Sequence, residues 1–598
     1  MKITYLFPTA LFLLLAAFFM FLPNLKHCAL PRCSDCRRID RKDALIMGLI
    51  SIVYAAIAFT ALGNTKSPES FVPMQSRTLT LELSDERSVG EIMIFSGVGE
   101  GSCEIEFSED GEVWLHAASF KQEHVNVLKW NSIIPDIGMK ARFVRFTGSG
   151  GLYFGEVCFK DTEGLYIPAA LPESEDDASA ELLIDEQELL PKKQHFLNSS
   201  YFDEIYHPRT AWEHLNGIYP YEVSHPPLGK LIISIGVSLF GMTPFGWRFM
   251  GTLFGVLMLP VMYVFVKKLF GGRTVATACT IVFASDFMHF VQTRIATIDT
   301  YSVFFTLLMY LFMYLFIDEY DGEGTGRRSL LWLALSGLCF GLGAASKWTA
   351  IYAGAGLAVI WFGFWIANRH RGFAAFAKNA AFCIVFFVIV PAIIYYCSYF
   401  AYGLSTGLSF PALLFNGEYA KLVLDNQQFM FSYHADLVAE HPYASRWYQW
   451  ILNIRPILYY LEYLEDGRRS SFGAFVNPAL CWGGLVCIPI LGYTALKRRD
   501  AAAAFILVGY LAQLVPWMFV NRLTFAYHYF PCTVFLVLAL GYVFKLIRLG
   551  SPYWKAQIGG FTLVSVALFI LFYPALTGLT INNALGTKLL GWLPTWPF

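Results

Sequence analysis

The sequence predicts a polytopic α-helical membrane protein with a β-sandwich inserted in its first outer loop. Of the 598 residues, 56% are hydrophobic, 17% are aromatic and only 15% are charged, which lies outside the usual composition of soluble domains. Apolar runs of roughly 20 residues recur along the chain, and one stretch alternates instead with the two-residue period of β-strands. The formal net charge of −1 suggests no nucleic-acid partner.

Twelve apolar runs come close to the roughly 20 residues needed to cross a bilayer. They lie at 4–22, 44–62, 247–266, 274–291, 301–317, 329–345, 350–366, 379–400, 476–495, 501–520, 526–544 and 557–575. The first run is predicted to be a span rather than a cleaved signal peptide, because only Lys2 precedes it and no small-residue cleavage site closes it. The apolar stretch 231–240 is too short to span the membrane. We expect it to form a helix along the outer surface or a shallow re-entrant segment.

The orientation of the predicted spans in the membrane follows from the distribution of lysine and arginine, which are enriched in cytoplasmic loops. Every second loop is basic, so the assignment is self-consistent, and both termini face outward. The basic residues are Arg32, Arg37, Arg38, Arg41 and Lys42; Lys267, Lys268 and Arg273; Arg327 and Arg328; Arg369, Arg371 and Lys378; Lys497, Arg498 and Arg499; and Lys545, Arg548 and Lys555.

In the first basic loop, His27 stands beside Cys28, Cys33 and Cys36. The spacing is only loosely that of a zinc knuckle, since a second C-x-x-C pair is missing. We therefore predict no metal site from it.

Residues 66–165 predict an antiparallel β-sandwich outside the membrane. Short alternating stretches such as TLTLEL, GEIMIF, CEIEF and ARFVRF are separated by Gly, Asp and Ser turns. Cys103 and Cys158 in this region are compatible with a disulfide or with two buried thiols. Residues 166–197 follow, and their run PESEDDASAELLIDEQE, with eight acidic residues and no basic one, is typical of a solvated linker.

The stretch from Tyr201 to Lys230 carries the groups best suited to chemistry. The adjacent carboxylates of Asp203 and Glu204 are flanked by aromatic residues, which can desolvate a carboxylate and raise its proton affinity toward that of a general base. A solvated loop is the alternative. His225 and Lys230 end the stretch in HPPLGK, where His225 either meets the substrate or shapes the double-proline turn.

Under this topology, the ionisable residues at membrane ends converge on the outer side, where positive charge is disfavoured. A random scatter would place about half of them inside. They are Arg248, Arg294, Asp299, Lys347, His441, Arg446, Arg522 and His528.

An outer face that carries these ionisable residues suits a reaction in which an acceptor hydroxyl attacks a sugar linked to a lipid phosphate. The leaving phosphate needs fixed cations to stabilise its growing charge, and the acceptor hydroxyl needs one carboxylate to take its proton, for which Asp203 is our choice. A single base without a carboxylate nucleophile predicts one displacement with inversion. The predicted phosphate ligands are Arg248, Arg294, Lys347 and Arg522. The predicted substrate contacts are His225, Lys230, Asp299, His441, Arg446, Trp447 and His528.

Each of these residues also has a purely structural interpretation. In that interpretation Arg294 and Asp299 pair with each other, and Lys347 extends to the membrane interface. His528 would be a satisfied core histidine, and Trp447 would belong to an interfacial aromatic belt.

Five ordered motifs resemble those of the protein O-mannosyltransferases, glycosyltransferase family 39 of the GT-C superfamily. They are the Asp-Glu pair with HPPLGK, RIATIDTYSVFF, GLGAASKWTA, HPYASRWYQW and NRLTFAYHYFP, and they cover roughly residues 198–545. The resemblance implies that Asp203 is the catalytic aspartate, Glu204 its acidic neighbour and Arg248 the arginine that serves the lipid phosphate. An extra first span, the inserted sandwich and the missing MIR domain depart from the family's pattern and leave acceptor choice open.

The run CEIEFSEDGEVW, followed by ARFVRFTGSGGLYFGEVCF, resembles discoidin or coagulation factor 5/8 type C domains. Many such domains bind carbohydrate, so the resemblance implies a glycan as a partner of the sandwich. It locates no ligand site.

The predicted organisation is two spans and a basic loop at 1–62, the sandwich at 66–165, the linker at 166–197, a GT-C catalytic region at 198–475 and further spans at 476–598. The predicted function is transfer of a sugar, mannose by resemblance, from a polyprenyl-phosphate donor to Ser or Thr hydroxyls of secreted or membrane proteins. The predicted location is the plasma membrane, with the site facing outward among membrane lipids. Metal dependence and dimer formation are left open.

Two alternatives remain. A GT-C transferase can also act on a lipid or a cell-wall glycan, and the sequence separates these acceptors poorly. A transporter or sugar sensor is the alternative outside enzymes. A transporter predicts paired half-repeats and charges near mid-membrane, and the sequence shows neither.

Overall fold

The computed structural model describes residues 3–20, 37–136, 140–173, 175, 177–320, 326–409 and 415–598. The chain forms two compact units. The membrane unit comprises Met1–Thr60, Val223–Lys230 and Gly251–Phe598, and the sheet unit comprises Ala61–Glu222 and Leu231–Met250.

Helices dominate the chain. They are α1 (Ile3–Met20), α2 (Arg41–Phe59), α3 (His207–Leu215), α4 (Leu228–Phe240), α5 (Pro244–Phe270), α6 (Arg273–Ala284), α7 (Phe287–Gln292), α8 (Asp299–Glu319), α9 (Arg327–Ser346), α10 (Thr349–Ala367), α11 (Phe373–Ile384), α12 (Val390–Ser398), α13 (Phe400–Ser405), α14 (Gly417–Asp436), α15 (Trp447–Ile451), α16 (Pro478–Arg498), α17 (Ala501–Leu514), α18 (Phe530–Gly550), α19 (Trp554–Thr577) and α20 (Asn583–Leu590). Within the described residues, ten helical stretches are long and apolar enough to cross a membrane.

The predicted runs fall mainly on helices, but the count of twelve spans is not confirmed. The described apolar part of α1, Leu6–Met20, is shorter than the ten candidate spans. The run 274–291 is broken between α6 and α7, because the Asp286 carboxylate caps α7 by accepting from the backbone N–H of His289 at 3.1 Å. The short outer helix predicted at 231–240 is part of α4, which is indeed shorter than a span.

Charged residues of the predicted cytoplasmic loops meet at one end of the membrane unit. The buried Asp43 carboxylate accepts from Lys267 Nζ at 2.9 Å, Tyr263 Oη at 2.7 Å and Arg273 Nε at 3.1 Å. Arg273 also pairs with Asp40 at 2.6 Å. The two basic loops thus lie on the same side, as the sequence predicts.

Replacing Asp43 with asparagine is expected to destabilise the protein by about 3 kcal/mol, because Lys267 would stay buried without a counter-charge. Thermal unfolding in detergent measures the loss. Asp40→Asn is the control, since the Asp40 side chain is half-exposed and its pair is worth about 1 kcal/mol or less. Equal melting temperatures for the two variants would contradict this.

Nine strands build the sheet unit, and three more lie in the membrane unit, all within the described residues. They are β1 (Val72–Pro73), β2 (Thr78–Ser96), β3 (Gly101–Ser108), β4 (Leu115–Gln122), β5 (Lys129–Ile133), β6 (Lys140–Gly150), β7 (Tyr153–Asp161), β8 (Tyr166–Ile167) and β9 (Ala169–Ala170), then β10 (Ile457–Tyr463), β11 (Arg468–Ala474) and β12 (Ile581–Asn582).

The long strand β2 joins two antiparallel sheets. Its first half pairs with β6 and its second half with β7, and the register with β6 shifts between Glu82 and Arg87. The strand order is β1-β7-β2-β6-β3-β4, with β5 beside β2. Alternating apolar residues of both sheets form one core, which includes Leu81, Ile94, Ile105, Phe146 and Phe159. Strands stand where the sequence predicts them, and the likeness to discoidin domains stays a prediction.

The stretch 166–197 differs from the predicted solvated linker. Strand β8 pairs with β7, and β9 pairs with β2. Ala180 and Leu183 are buried in the sheet core, and Ile184 packs against it. Polar contacts add to this packing, since Arg77 donates to Ser179 at 2.7 Å and the backbone N–H of Thr80 donates to Glu175 at 2.7 Å.

The cysteines of the sheet unit are free thiols. Cys103 and Cys158 are both buried and unpaired, and burial raises the pKa of Cys103 to about 12. The knuckle-like set of His27, Cys28, Cys33 and Cys36 lies outside the described residues.

Candidate active site

The two adjacent carboxylates of the sheet unit lie in different environments. A single 3₁₀ turn, Phe202–Ile205, carries both. The Glu204 side chain is fully buried, whereas Asp203 is half-buried. The turn opens at Phe202 with a φ of +49°, which is an uncommon conformation for an aromatic residue and is held only where the surroundings fix it.

Arg248 fixes those surroundings. Its Nε and Nη2 each donate to a carboxylate oxygen of Glu204 at 2.7 Å. Its Nη1 donates to the carbonyl oxygens of Leu62 and Phe196, and its Nη2 donates to that of Ser199, at 2.8–2.9 Å. A guanidinium has five N–H donors, and all five are used here.

This arrangement does not support the predicted contact of Arg248 with a phosphate. The side chain is fully buried, and its charge is matched by the bidentate Glu204 carboxylate. Arg248 instead ties two segments of the chain, at Leu62 and at Phe196–Ser199, to the turn that carries Asp203.

In the membrane unit, Lys347 and Asp299 form a buried pair. Lys347 Nζ lies 2.8 Å from Asp299 Oδ1 and 5.4 Å from the centre of the Tyr527 ring. Lys347 is 7% exposed, so its ammonium group is enclosed by the protein rather than extended to its surface. The alternative in which Asp299 pairs with Arg294 is therefore wrong.

Arg294 contacts the end of α2. Its Nε donates to the carbonyl oxygen of Ala58 at 3.0 Å, and its Nη2 donates to that of Thr60 at 2.9 Å. Its guanidinium also lies 5.0 Å from the centre of the Phe290 ring. A cation at a helix C-terminus stabilises the last carbonyl groups. A phosphate contact of Arg294 stays a prediction.

His434, on α14, was missed by the sequence analysis. Its Nε2 lies 2.9 Å from the carbonyl oxygen of Ser224, and a carbonyl only accepts, so Nε2 carries the proton and Nδ1 is an acceptor. Nδ1 is buried without a hydrogen-bond partner among the described residues. The His225 ring lies 5.1 Å away.

Lys347, Arg522, His225 and His434 form a group that we call the cation cluster. Burial, followed by the nearby His225, Arg522 and Lys347, lowers the pKa of His434 to about 3, so His434 is neutral at physiological pH. Arg522 is half-buried, and in the part of the chain that the structure describes it forms no ion pair or hydrogen bond. The cluster therefore has an excess of positive charge.

His528 packs beside this cluster as a core histidine. It stacks on Trp450 at 5.8 Å and on Tyr527 at 4.5 Å between ring centres. Its Nδ1 lies 3.1 Å from the backbone nitrogen of Phe525. Trp450, rather than the predicted Trp447, is the buried aromatic residue of its motif.

Two loops that carry predicted site residues are joined. Ser445 and Thr524 exchange hydrogen bonds of 2.9 and 2.6 Å. His441 contacts the Phe525 ring at 5.0 Å, and burial lowers its pKa. Arg446 is exposed and Trp447 half-buried, and nothing in the described contacts brings either of them to the cation cluster.

Lys230 has a local role. Its buried Nζ donates to the carbonyl oxygen of His225 at 2.9 Å and so closes the HPPLGK turn. Asn426 of α14 donates to the carbonyl oxygen of Val223 at 3.0 Å and fixes the start of the same turn. Helix α14 is too polar for a span and carries no recognisable motif, so sequence reasoning had little signal for it or for His434.

A polytopic helical unit, two adjacent carboxylates of which one is bound by an arginine, and a group of cations are features that fit a membrane glycosyltransferase of the GT-C fold. Two family models match the chain: "Dolichyl-phosphate-mannose-protein mannosyltransferase" over residues 224–395, and "C-terminal four TMM region of protein-O-mannosyltransferase" over residues 420–596. The chain belongs to the protein O-mannosyltransferase family.

Curated relatives share this family. A polyprenol-phosphate-mannose–protein mannosyltransferase of Mycobacterium tuberculosis is 26% identical over 466 residues, which cover 66% of this chain and 86% of the relative. One from Mycolicibacterium smegmatis is 25% identical over 459 residues, covering 66% and 87%.

A solved structure shows the same fold. The Saccharomyces cerevisiae protein O-mannosyltransferase Pmt1–Pmt2 complex, bound to the sugar donor, matches with a TM-score of 0.58 and 15% identity. The match covers 66% of this chain and 89% of the yeast chain.

Proposed function

We propose that this protein transfers mannose from a polyprenyl-phosphate carrier to Ser or Thr hydroxyls of proteins, with inversion at the anomeric carbon. The observation that carries the proposal is the unequal acidic pair: Arg248 binds both oxygens of the buried Glu204, while the half-buried Asp203 lies on the same turn. The curated relatives, whose names give polyprenol-phosphate mannose as donor and protein as acceptor, support the donor and acceptor classes.

Asp203 is the general base in this proposal. An acceptor hydroxyl has a pKa far above 7, so it attacks well only when a carboxylate takes its proton during the attack. Glu204 cannot do this while Arg248 holds both of its oxygens. With Asp203 as the single base, the acceptor oxygen displaces the phosphate in one step, which inverts the anomeric carbon.

The cation cluster holds the donor phosphate. The carbon–oxygen bond that breaks leaves its electron pair on the phosphate, and the growing charge is stabilised by fixed cations rather than by an acid. Lys347 shares its charge with Asp299, whereas Arg522 has no such partner among the described residues and is the principal ligand. His434 Nδ1, a buried acceptor, suits a hydroxyl of the sugar.

The sheet unit faces outward in this proposal and presents acceptor protein or a glycan, as its discoidin-like pattern suggests. The plasma membrane is the proposed location, with transfer on its outer side.

The proposal is tested with membranes that contain the protein, a labelled polyprenyl-phosphate mannose and a Ser- and Thr-containing peptide. We expect label on the peptide, and none on a matched peptide with Ala and Val at those positions. Label only in the lipid or glycan fraction would support the alternative acceptors, and no transfer from the donor to any acceptor would overturn the proposal.

Arg522→Gln is expected to raise the KM for the donor about 10-fold to 100-fold, since a charge-assisted hydrogen bond contributes about 1.5–3 kcal/mol. The KM for the peptide should change little. Donor and peptide titrations of the transfer rate measure both. The matched control is Arg327→Gln, at an exposed arginine of a predicted cytoplasmic loop, and an equal donor KM in the two variants would contradict a phosphate role for Arg522.

A further inference from the structure

A second cluster of acidic residues lies in the sheet unit, away from the Asp203 turn in sequence. Glu156, on β7, and the adjacent Asp185 and Glu186 each offer a carboxylate oxygen, and these oxygens all lie within 4.8 Å of one another. Glu156 is fully buried, Glu186 is half-buried and Asp185 is exposed. The cluster thus runs from the protein interior to solvent.

The Glu156 carboxylate is incompletely satisfied. Its Oε2 accepts from the backbone N–H of Glu186 at 2.9 Å, but its buried Oε1 has no hydrogen-bond partner among the described residues. No arginine or lysine pairs with any member of the cluster in the part of the chain that the structure describes. A buried carboxylate is normally paired, hydrogen-bonded or bound to a metal.

Local contacts hold the three carboxylates in place. Gln187 Nε2 donates to the carbonyl oxygen of Val157 at 3.2 Å, which docks the Asp185–Gln187 segment on β7. Glu186 Oε2 accepts from the backbone N–H of Glu69 at 2.9 Å, so the chain entering the sheet is joined to the same point. The oxygens are therefore positioned by three separate segments.

We propose that Glu156, Asp185 and Glu186 bind a calcium ion in the sheet unit. All three ligands are oxygen atoms, which hard cations prefer, and Ca²⁺ tolerates irregular geometry and completes its shell with water on the open side. The ion would neutralise the repulsion among the carboxylates and give the orphaned Glu156 oxygen a partner. It would also clamp the segment around Asp185 onto β7.

The raised pKa values of the three carboxyl groups agree with this arrangement. Burial, reinforced by the neighbouring carboxylates, raises the pKa of Glu156 to about 8, and the pKa values of Asp185 and Glu186 are raised as well. The ion is a structural one in this proposal, and the sugar-transfer reaction does not depend on it for its chemistry.

The test uses the purified full chain in detergent, first stripped with a chelator. Added Ca²⁺ at about 5 mM is expected to raise the melting temperature by about 3 °C, given the 10⁻⁴–10⁻³ M affinity of many extracellular sites. Tb³⁺ should bind in a ratio of one per chain, as measured by its luminescence, and Ca²⁺ should displace it more readily than Mg²⁺ does.

Glu156→Gln and Asp185→Asn are expected to lose both the thermal shift and the Tb³⁺ signal. The second variant changes an exposed side chain, so a folding defect will not mask its result. Glu181→Gln, an exposed acid of the same segment, is the matched control and should keep both responses. Absence of any Ca²⁺ response in the wild type, or an undiminished response in both cluster variants, would overturn the proposal.

Discussion

Replacing Asp203 with asparagine is expected to slow sugar transfer by about 10³-fold, within the range of 10²–10⁴ that general-base catalysis contributes. Asparagine keeps the size of the side chain and removes only its ability to take a proton. Glu204 does not substitute for it, because its carboxylate is buried and bound at both oxygens by Arg248. Transfer of labelled mannose to a peptide by the purified protein measures the effect.

The control for this prediction is Glu163→Gln, which neutralises an exposed acid at a turn of the sheet unit. It should transfer sugar at the wild-type rate. Both variants should stay folded, because the buried pair of Glu204 and Arg248 is left intact, and thermal unfolding in detergent checks this. A transfer rate of Asp203→Asn within tenfold of the wild type would remove Asp203 from the role of base.

Replacing Arg248 with methionine is expected to destabilise the protein by about 3–5 kcal/mol, because the Glu204 carboxylate would remain buried without its partner. The carbonyl groups of Leu62, Phe196 and Ser199 would also lose their donors. Chemical or thermal unfolding in detergent measures the loss of stability. Adding Glu204→Leu to this variant should restore much of it, since an apolar pair of similar volume avoids the uncompensated charge.

Kinetics separate positioning by Arg248 from phosphate binding. Arg248→Lys keeps the charge but loses the two-pronged contact with Glu204. If Arg248 only positions the turn that carries Asp203, this variant lowers kcat and leaves the KM for the donor nearly unchanged. A large rise in donor KM with an unchanged kcat would restore Arg248 as a phosphate ligand.

The sequence identifies the acidic pair and its family, but not the different environments of its two members. Asp203 and Glu204 are adjacent and chemically alike, and what separates them is a contact of Glu204 with Arg248, 44 residues further along the chain. Pattern and composition carry no information about such a pairing. The same limit explains why Asp299 could be matched with Arg294 on sequence, whereas the fold pairs it with Lys347.

Segments with a strong hydrophobic pattern were predictable, because the spacing of their apolar residues in the local sequence indicates which side chains are buried. The alternating stretches of 78–83 and 103–107 are strands, and the apolar runs of 301–317 and 329–345 are helices. Features that depend on a few residues were missed. A capping aspartate breaks the run at 274–291, and a few apolar residues together with hydrogen bonds hold an acidic segment on the sheet.

The most direct test of the separate roles proposed for Asp203 and Arg522 compares purified Asp203→Asn with purified Arg522→Gln. Donor affinity and the transfer rate at saturating donor are measured for each variant. If Asp203 takes the acceptor's proton and Arg522 holds the donor's phosphate, the first variant binds donor with near wild-type affinity but transfers slowly. The second then binds donor weakly and recovers much of its rate when donor saturates it. Loss of the same quantity in both variants, or of neither, would contradict the proposal that separate residues carry the base and the phosphate contact.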